Sequence, residues 1–444
     1  MRAHEAVALL CRYLRINTAN PPGKEKDAAE FFADIFDHEG IEYKFYEANP
    51  GRVSIRAVLR GSGKKGAIIL LNHMDVVPAN PAEWSFDPFG GEIREGYICG
   101  RGALDMKGLG IMELMAFLAM KRNRVKLDRD LIFLAVADEE ALGYQGVKYL
   151  LEKYPEEFKA DLIINEGGFG ISDLLATGPL IMIASAEKGP CWLTLTRRGQ
   201  PGHASMPHGD NTLEKMIVAL NRLISHPQPV RIIPLVAEYF RTISSGMEIL
   251  KPFSDDGKEA TLIRILEESG LINSPQISAM VRNTISMTML TAGIKTNVIP
   301  EMTTAELDIR LLPGQDVDGM IDRVKAVLAD SRIEIDRSRA TGASESPIDS
   351  PYFDIIGKVM RESFPGSVVA PQLMTGTSDS RYFRERGVPA YGVFPVLIPM
   401  NHLSKVHGID EMISVDNLVR GSEIMTEIVR RLFSLHEEIK NLGK

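Results

Sequence analysis

The chain has 444 residues, of which 44% are hydrophobic and 25% charged, more length than one core usually supports and a composition that excludes disordered and fibrous classes. Its formal charge of −8 disfavours general binding to nucleic acid or to an anionic membrane, and leaves small molecules as the expected partners. Cys11, Cys99 and Cys191 are odd in number and far apart, which fits reduced thiols better than a disulfide framework.

Residues 1–15 carry an apolar patch broken by His4, Glu5, Arg12 and Arg15, without the continuous apolar core or small-residue cleavage site of an export signal. No later stretch offers the roughly 18 to 20 uninterrupted apolar residues of a membrane helix, so the expected location is the cytoplasm. Further along, 67–71, 131–137 and 161–165 read as buried strands, and 109–122, apolar at helical spacing, as a core-packing helix. From about residue 187 the pattern changes. Strands are expected at 191–196, 284–290, 302–311 and 333–336, and helices at 212–224 and 317–329, which predicts a smaller inserted α+β unit. The stretch 226–283 leaves room for extra helices, and 340–351 has linker composition. A helix at 352–364 and a strand at 389–394 then resume the first, α/β unit.

Polar residues that chemistry could use follow each early strand directly, where open α/β sheets bind ligands. His73 and Asp75 follow 67–71; taken alone they read as a loop histidine beside a local carboxylate, but Asp75 could also orient a metal-binding imidazole. Asp105 lies in a glycine-flanked turn, Gly100 to Gly108, just before the 109–122 helix, where an isolated aspartate is commonly a cap. Asp138, Glu139 and Glu140 follow 131–137; three adjacent carboxylates at a buried edge repel one another unless cations neutralise them, and a solvated acidic loop is the alternative. Successive side chains of an extended segment point to opposite sides, so of Glu139 and Glu140 one can ligate while the other works as a base. Glu166, followed by Gly167 and Gly168, repeats the strand-end placement. Imidazoles with carboxylates suit zinc rather than magnesium or calcium, and two Zn²⁺ would carry +4 against −3 from Asp105, Glu140 and Glu166.

These segments, together with Trp84–Phe89, Gly202-His-Ala-Ser205, Gly376-Thr-Ser-Asp-Ser-Arg381 and His407-Gly-Ile-Asp-Glu411, resemble nearly end to end a zinc-dependent amidohydrolase and exopeptidase family. That family includes aminoacylases, carboxypeptidase S, glutamate carboxypeptidase, acetylornithine deacetylase and succinyl-diaminopimelate desuccinylase. The resemblance implies a doubly wound, mostly parallel catalytic sheet (1–185 and 345–444) with an inserted ferredoxin-like lid and dimerisation domain (186–344). It places His73 and Glu166 on one Zn²⁺, Glu140 and His407 on the other, and Asp105 across both, with Co²⁺ or Mn²⁺ as substitutes. It makes Asp75 the carboxylate behind His73, Glu139 the general base, and the Asp105–Met106 peptide bond cis. His407 rather than His402 heads the matching pattern.

In the lid, His203 matches a histidine supplied to the tetrahedral oxyanion, often by the second subunit of a dimer, although alone it reads as a turn residue. Arg310, after Asn297-Val-Ile-Pro300, matches a clamp for a substrate carboxylate; its alternative is a strand arginine paired with Asp308 or Glu306. Asn297 and the Gly376, Thr377, Ser378 loop complete the expected substrate site. The implied reaction is hydrolysis of an amide bond beside a free carboxylate, in an N-acyl amino acid or a short peptide. A desuccinylase or deacetylase of the acetylornithine type is the alternative, and a metal-binding relative without turnover a further one. A serine hydrolase lacks its Gly-x-Ser-x-Gly elbow.

Overall fold

Three of the expected apolar runs become neighbouring strands. In the computed structural model, which describes residues 2–63 and 65–442, Ala67–His73 lies between Leu131–Val136 and Ala160–Asn165, and Ala390–Gly392 follows beyond. Met1 and Lys444, the outer limits of the expected catalytic domain, lie outside the described residues. These four strands are parallel. Arg52–Leu59 and Glu42–Asn49 extend one side antiparallel, and Gly178–Glu187 continues the other, with Val368–Met374 parallel to it. The sheet is therefore parallel at its centre and mixed at its margins.

Parallel strands covered on both faces need apolar side chains on both faces, which is why continuous runs rather than alternating ones form them. Ile68, Leu70, Phe133 and Ile164 pack with helices Arg2–Leu14, Glu25–Glu39, Lys107–Arg122, Pro351–Ser363 and Val415–Leu442. Ile69, Leu71, Leu134 and Ile163 face the other way, against Val147–Lys153 and Ser380–Arg384. Lys107–Arg122 is buried from Lys107 to Met120, so it is a core helix. The doubly wound arrangement follows. Among the described residues no helix is long and apolar enough to cross a membrane.

Gly189–Arg198, Thr284–Ala292, Met302–Leu311 and Ile333–Ala340 form a separate antiparallel sheet in the order second, third, first, fourth. Helices Thr212–Ile224 and Val317–Leu328 cover one face through Met216, Leu220, Met320 and Val324. Helix follows the first strand and the third, the ferredoxin-like connectivity.

One stretch carries the extra helices expected of it but packs elsewhere than the lid sheet, and another departs from its linker composition. Residues 226–283 fold into helices including Pro234–Ile243 and Glu259–Glu268, but these do not join the four-stranded sheet. Its helix-bearing face is already filled, so Leu235, Val236, Tyr239 and Phe240 pack instead against Leu180, Met182, Ala370 and Leu373 of the large sheet. The linker-like 340–351 contains Ser344–Glu345, which pairs with Ala186 and Glu187 and returns the chain to that sheet.

Candidate metal centre

Because Ala67–His73, Leu131–Val136 and Ala160–Asn165 are adjacent and parallel, the residues just past their carboxyl ends meet in one place. His73 is buried, and its Nδ1–H donates to the main-chain oxygen of Asp75 at 2.8 Å, leaving Nε2 toward the carboxylates. Nε2 lies 3.1 Å from Asp105 Oδ1 and 3.7 Å from Glu166 Oε2. The Asp75 carboxylate stands 3.7 Å from Nδ1, outside hydrogen-bond reach. It accepts instead from the backbone amides of Glu139 at 3.1 Å and Glu140 at 3.2 Å, and from Asn20 Nδ2 at 2.8 Å. Asp75 thus orients His73 through its carbonyl and the Glu139–Glu140 turn through its side chain.

That turn is sharply built. Asp138 has φ of 74°, and its main-chain oxygen accepts from Ala141 and Gly143, so the chain reverses immediately after the strand. Gly168 serves the third strand end: it has φ of +61°, and a Cβ there would lie 2.4 Å from Gly392 O and 2.6 Å from Met182 O. Only glycine lets the chain pass Glu166 so close to its neighbours.

Asp105 connects the two halves of the cluster. Its Oδ1 faces His73, and its Oδ2 lies 2.9 Å from His407 Nε2, which is also 3.4 Å from Glu140 Oε2. The Asp105–Met106 bond is cis. Glu411, buried, accepts from the backbone amides of Gly102, Leu104 and Asp105 and from Arg101 Nη1 at 2.7 Å. Arg101 Nη2 also donates to Gly408 O at 2.8 Å, tying the Asp105 turn to the His407 loop. His402, on the same loop, packs its ring against Tyr97 instead.

Acids crowd this space. Burial and the Glu166 carboxylate push Glu139 well above the ordinary carboxylate range, and burial and Asp105 push Glu166 up to about 7. Burial pulls His73 down, but Glu166 and Asp105 pull harder and leave it well above its usual value. Hydrogen bonds to Asp105 and Glu140 raise His407 to about 10. Cations would relieve that repulsion. The donor set fits them: Glu140 Oε1 is buried without a hydrogen-bond partner, and Asp105 offers one oxygen to each imidazole. Ligand atoms about 2.0–2.1 Å from a tetrahedral zinc stand about 3.3 Å apart, and the four separations among His73, His407 and their carboxylates run from 2.9 to 3.7 Å. One oxygen of Glu139 also lies within 4.8 Å of the ligand atoms of His73 and Glu166.

Among the described residues, the hydrogen bonds of the expected lid residues run to one another rather than to this cluster. Ser205 Oγ lies 2.7 Å from His203 Nδ1, and the Ala204 amide donates to Asn297 O at 3.0 Å. Arg310 makes two hydrogen bonds to Asp308, at 2.7 and 3.1 Å, and lies over the Trp192 ring. In the 376–378 loop, the Ser378 amide and hydroxyl both donate to Glu187, and the Thr377 hydroxyl lies 3.4 Å from it, so the Ser378 amide is already engaged within the chain. The structure also brings in residues that the sequence did not single out. Asp379 is buried beside the Glu139 turn, and burial raises it to about 8; Glu25 and Arg52 lie behind Asp138.

Two imidazoles and four carboxylates gathered beyond the ends of a parallel sheet, with a lid sheet inserted in the chain, make a set that could hold metal ions. The chain belongs to peptidase family M20/M25/M40, which it matches over residues 69–431. It is similar to the N-fatty-acyl-amino acid synthase/hydrolase PM20D1 of Xenopus tropicalis, 32% identical over 362 residues, 78% of this chain and 68% of that protein. It is also similar to aminoacylase-1 of Homo sapiens, 27% identical over 442 residues, 97% of this chain and 96% of that one. In fold it is similar to an M20 family metallo-carboxypeptidase, Sso-CP2 of Sulfolobus solfataricus, with a TM-score of 0.73 at 19% identity, covering 96% of this chain and 98% of that one. The protein is a hydrolase of metallopeptidase and aminoacylase type.

Proposed function

We propose that the protein hydrolyses the amide bond of an N-acyl amino acid or short peptide beside a free carboxylate, with Glu139 as general base at a two-zinc centre. His73 and Glu166 would hold one ion, His407 and Glu140 the other, and Asp105 both. The observation that carries this reading is Asp105, whose two oxygens face two different imidazoles at 3.1 and 2.9 Å. Zinc bound there would supply Lewis acidity and a water acidified toward neutral pH. Glu139, on the turn fixed by Asp75, takes the proton of the attacking water and delivers it to the departing amine nitrogen. Its partner Glu140 lies 3.4 Å from His407, which supports Glu140 as the ligand and Glu139 as the base.

The lid completes the site. Arg310, released from Asp308, holds the substrate carboxylate by its planar fork, and His203 with Asn297 meets the oxyanion. Gly376 and Thr377 line the substrate from the catalytic domain. Exposed Ile217, Val218 and Ile224 on one lid helix, with Met289 and Leu290 on its edge strand, suit a homodimer through the lid. The likeness to aminoacylase-1 across nearly its whole length, and to PM20D1, supports N-acyl amino acids as the first substrates to try.

Glu139→Gln decides the base. It is expected to retain both metals by elemental analysis and to lose about 10²- to 10⁴-fold in kcat across a panel of N-acyl amino acids and dipeptides. Turnover at the wild-type rate would refute the assignment.

A further inference from the structure

We propose that Arg52 is a positioning residue for the catalytic turn, the centre of a buried polar scaffold that holds Glu139 and Glu140 from behind. This rests on their assignment as base and ligand, which Glu139→Gln tests separately.

Arg52 opens the strand beside Leu131–Val136, and Asp138 lies just past that strand's end. The Arg52 guanidinium is almost fully buried and meets carboxylates on two sides. Nε and Nη2 donate to the two oxygens of Glu25, each at 2.8 Å, and Nη2 also donates to Asp138 Oδ1 at 2.8 Å. The other oxygen of Asp138 accepts from the Gln145 amide at 2.8 Å, across the base of the turn. Asn20 Nδ2 joins this group to Asp75, at 2.8 Å from Asp75 Oδ2 and 3.4 Å from Asp138 Oδ1. Asp75 in turn accepts the amides of Glu139 and Glu140. The hydrogen bonds run without a break from Glu25 through Arg52 to the backbone that presents both functional carboxylates.

Every carboxylate of the scaffold is buried: Glu25 and Asp75 have no exposed surface and Asp138 only 2%. Three such acids around one guanidinium leave Arg52 as the cation that keeps Asp138 in place, and Asp138 needs holding because it sits at positive φ. The planar fork is what makes this possible, since one guanidinium reaches both acids where an ammonium point charge would favour one. The loop before it is shaped to fit. Gly23, at φ +74°, lies flat against Arg52, and a Cβ there would stand 2.4 Å from the guanidinium carbon. Asn20, Gly23, Glu25 and Arg52 all precede residue 69, where the family match begins.

Two variants of the full-length, zinc-loaded enzyme test this on the N-acyl amino acid that wild type cleaves fastest. Arg52→Ala removes the guanidinium, whereas Gly23→Ala keeps every functional group and displaces it. Both are expected to fold by circular dichroism and bind zinc, to lose about 10- to 100-fold in kcat, and to keep KM within about twofold. Guanidinium chloride at a sub-denaturing concentration is expected to restore part of kcat in Arg52→Ala and none in Gly23→Ala. Wild-type kcat in Gly23→Ala, or a folded Arg52→Ala whose loss lies in KM or does not respond to guanidinium, would overturn the proposal. If Arg52→Ala does not fold, Gly23→Ala alone decides.

Discussion

His73 closes a strand of the large sheet, while Asp105, Glu139, Glu140 and Glu166 lie on turns and just past strand ends, and all are held by buried partners: the Asp75 carbonyl, Glu411, the Asp75 carboxylate, and glycine-permitted packing. Among the described residues, the hydrogen bonds of His203, Asn297 and Arg310 go to other lid residues. The contrast is physical rather than accidental. Charge stabilisation in a transition state is most effective when the groups need no reorganisation at the moment of reaction, so the cluster is built in advance. Groups that recognise substrate must first admit it, and a lid that closes on substrate can carry them.

If that division holds, variants in the two regions should fail differently. Asp105→Ala is the largest expected effect. It should strip bound metal and abolish hydrolysis, exceeding the about 10²- to 10⁴-fold loss of Glu139→Gln, and elemental analysis of the purified variant reads the first half directly. Full metal content in Asp105→Ala would break the comparison at its stronger end. His203→Ala should keep all metal and lose about 10²- to 10³-fold in kcat, the usual effect of removing one oxyanion donor. Arg310→Ala should be milder, about 10- to 100-fold in kcat/KM and mainly through KM, as expected for one charged hydrogen-bonding group. An unchanged KM on a carboxylate substrate would leave Arg310 with the role its contacts already show, an ion pair with Asp308 on its own strand.

The readable parts of the sequence share a cause. Strands 67–71, 131–137 and 161–165 are buried on both faces, so their sequence is unbroken apolar, and the imidazole and carboxylates of the cluster sit one to three residues beyond. Glu139 and Glu140 were legible as strand-end carboxylates for the same local reason, but the alternation of an extended segment does not describe them, because they share a single 3-10 turn. The Glu42–Asn49 strand was not, because its exposed margin gives it a mixed sequence, Glu-Tyr-Lys-Phe-Tyr-Glu-Ala-Asn. His407 could be reached only by resemblance, and Glu411 was visible only as part of the same pattern. Its contact with Arg101 spans 310 positions, and no local periodicity encodes such a distance. The Asp75 carboxylate shows the limit most clearly. Its spacing from His73 was right for orienting the imidazole, but the fold gives that task to its carbonyl and turns the side chain toward Glu139 and Glu140.

The two regions differ most if one must borrow from another chain. Among the described residues His203 makes no contact with the metal cluster, and the lid carries exposed apolar residues on its edge strand and one helix. If a second subunit's lid supplies the histidine, then Glu139→Gln and His203→Ala should each be nearly inactive alone and complement when mixed. Exchange of equal amounts would give half heterodimers, each with one site holding a native Glu139 and the partner's native histidine, so activity should recover to about a quarter of wild type. Leu290→Lys, which charges the exposed edge, should abolish that recovery by keeping the chains monomeric. Mixed variants that form heterodimers yet stay inactive would place His203 in its own subunit's site, and lid closure within one chain would then have to bring it to the zinc.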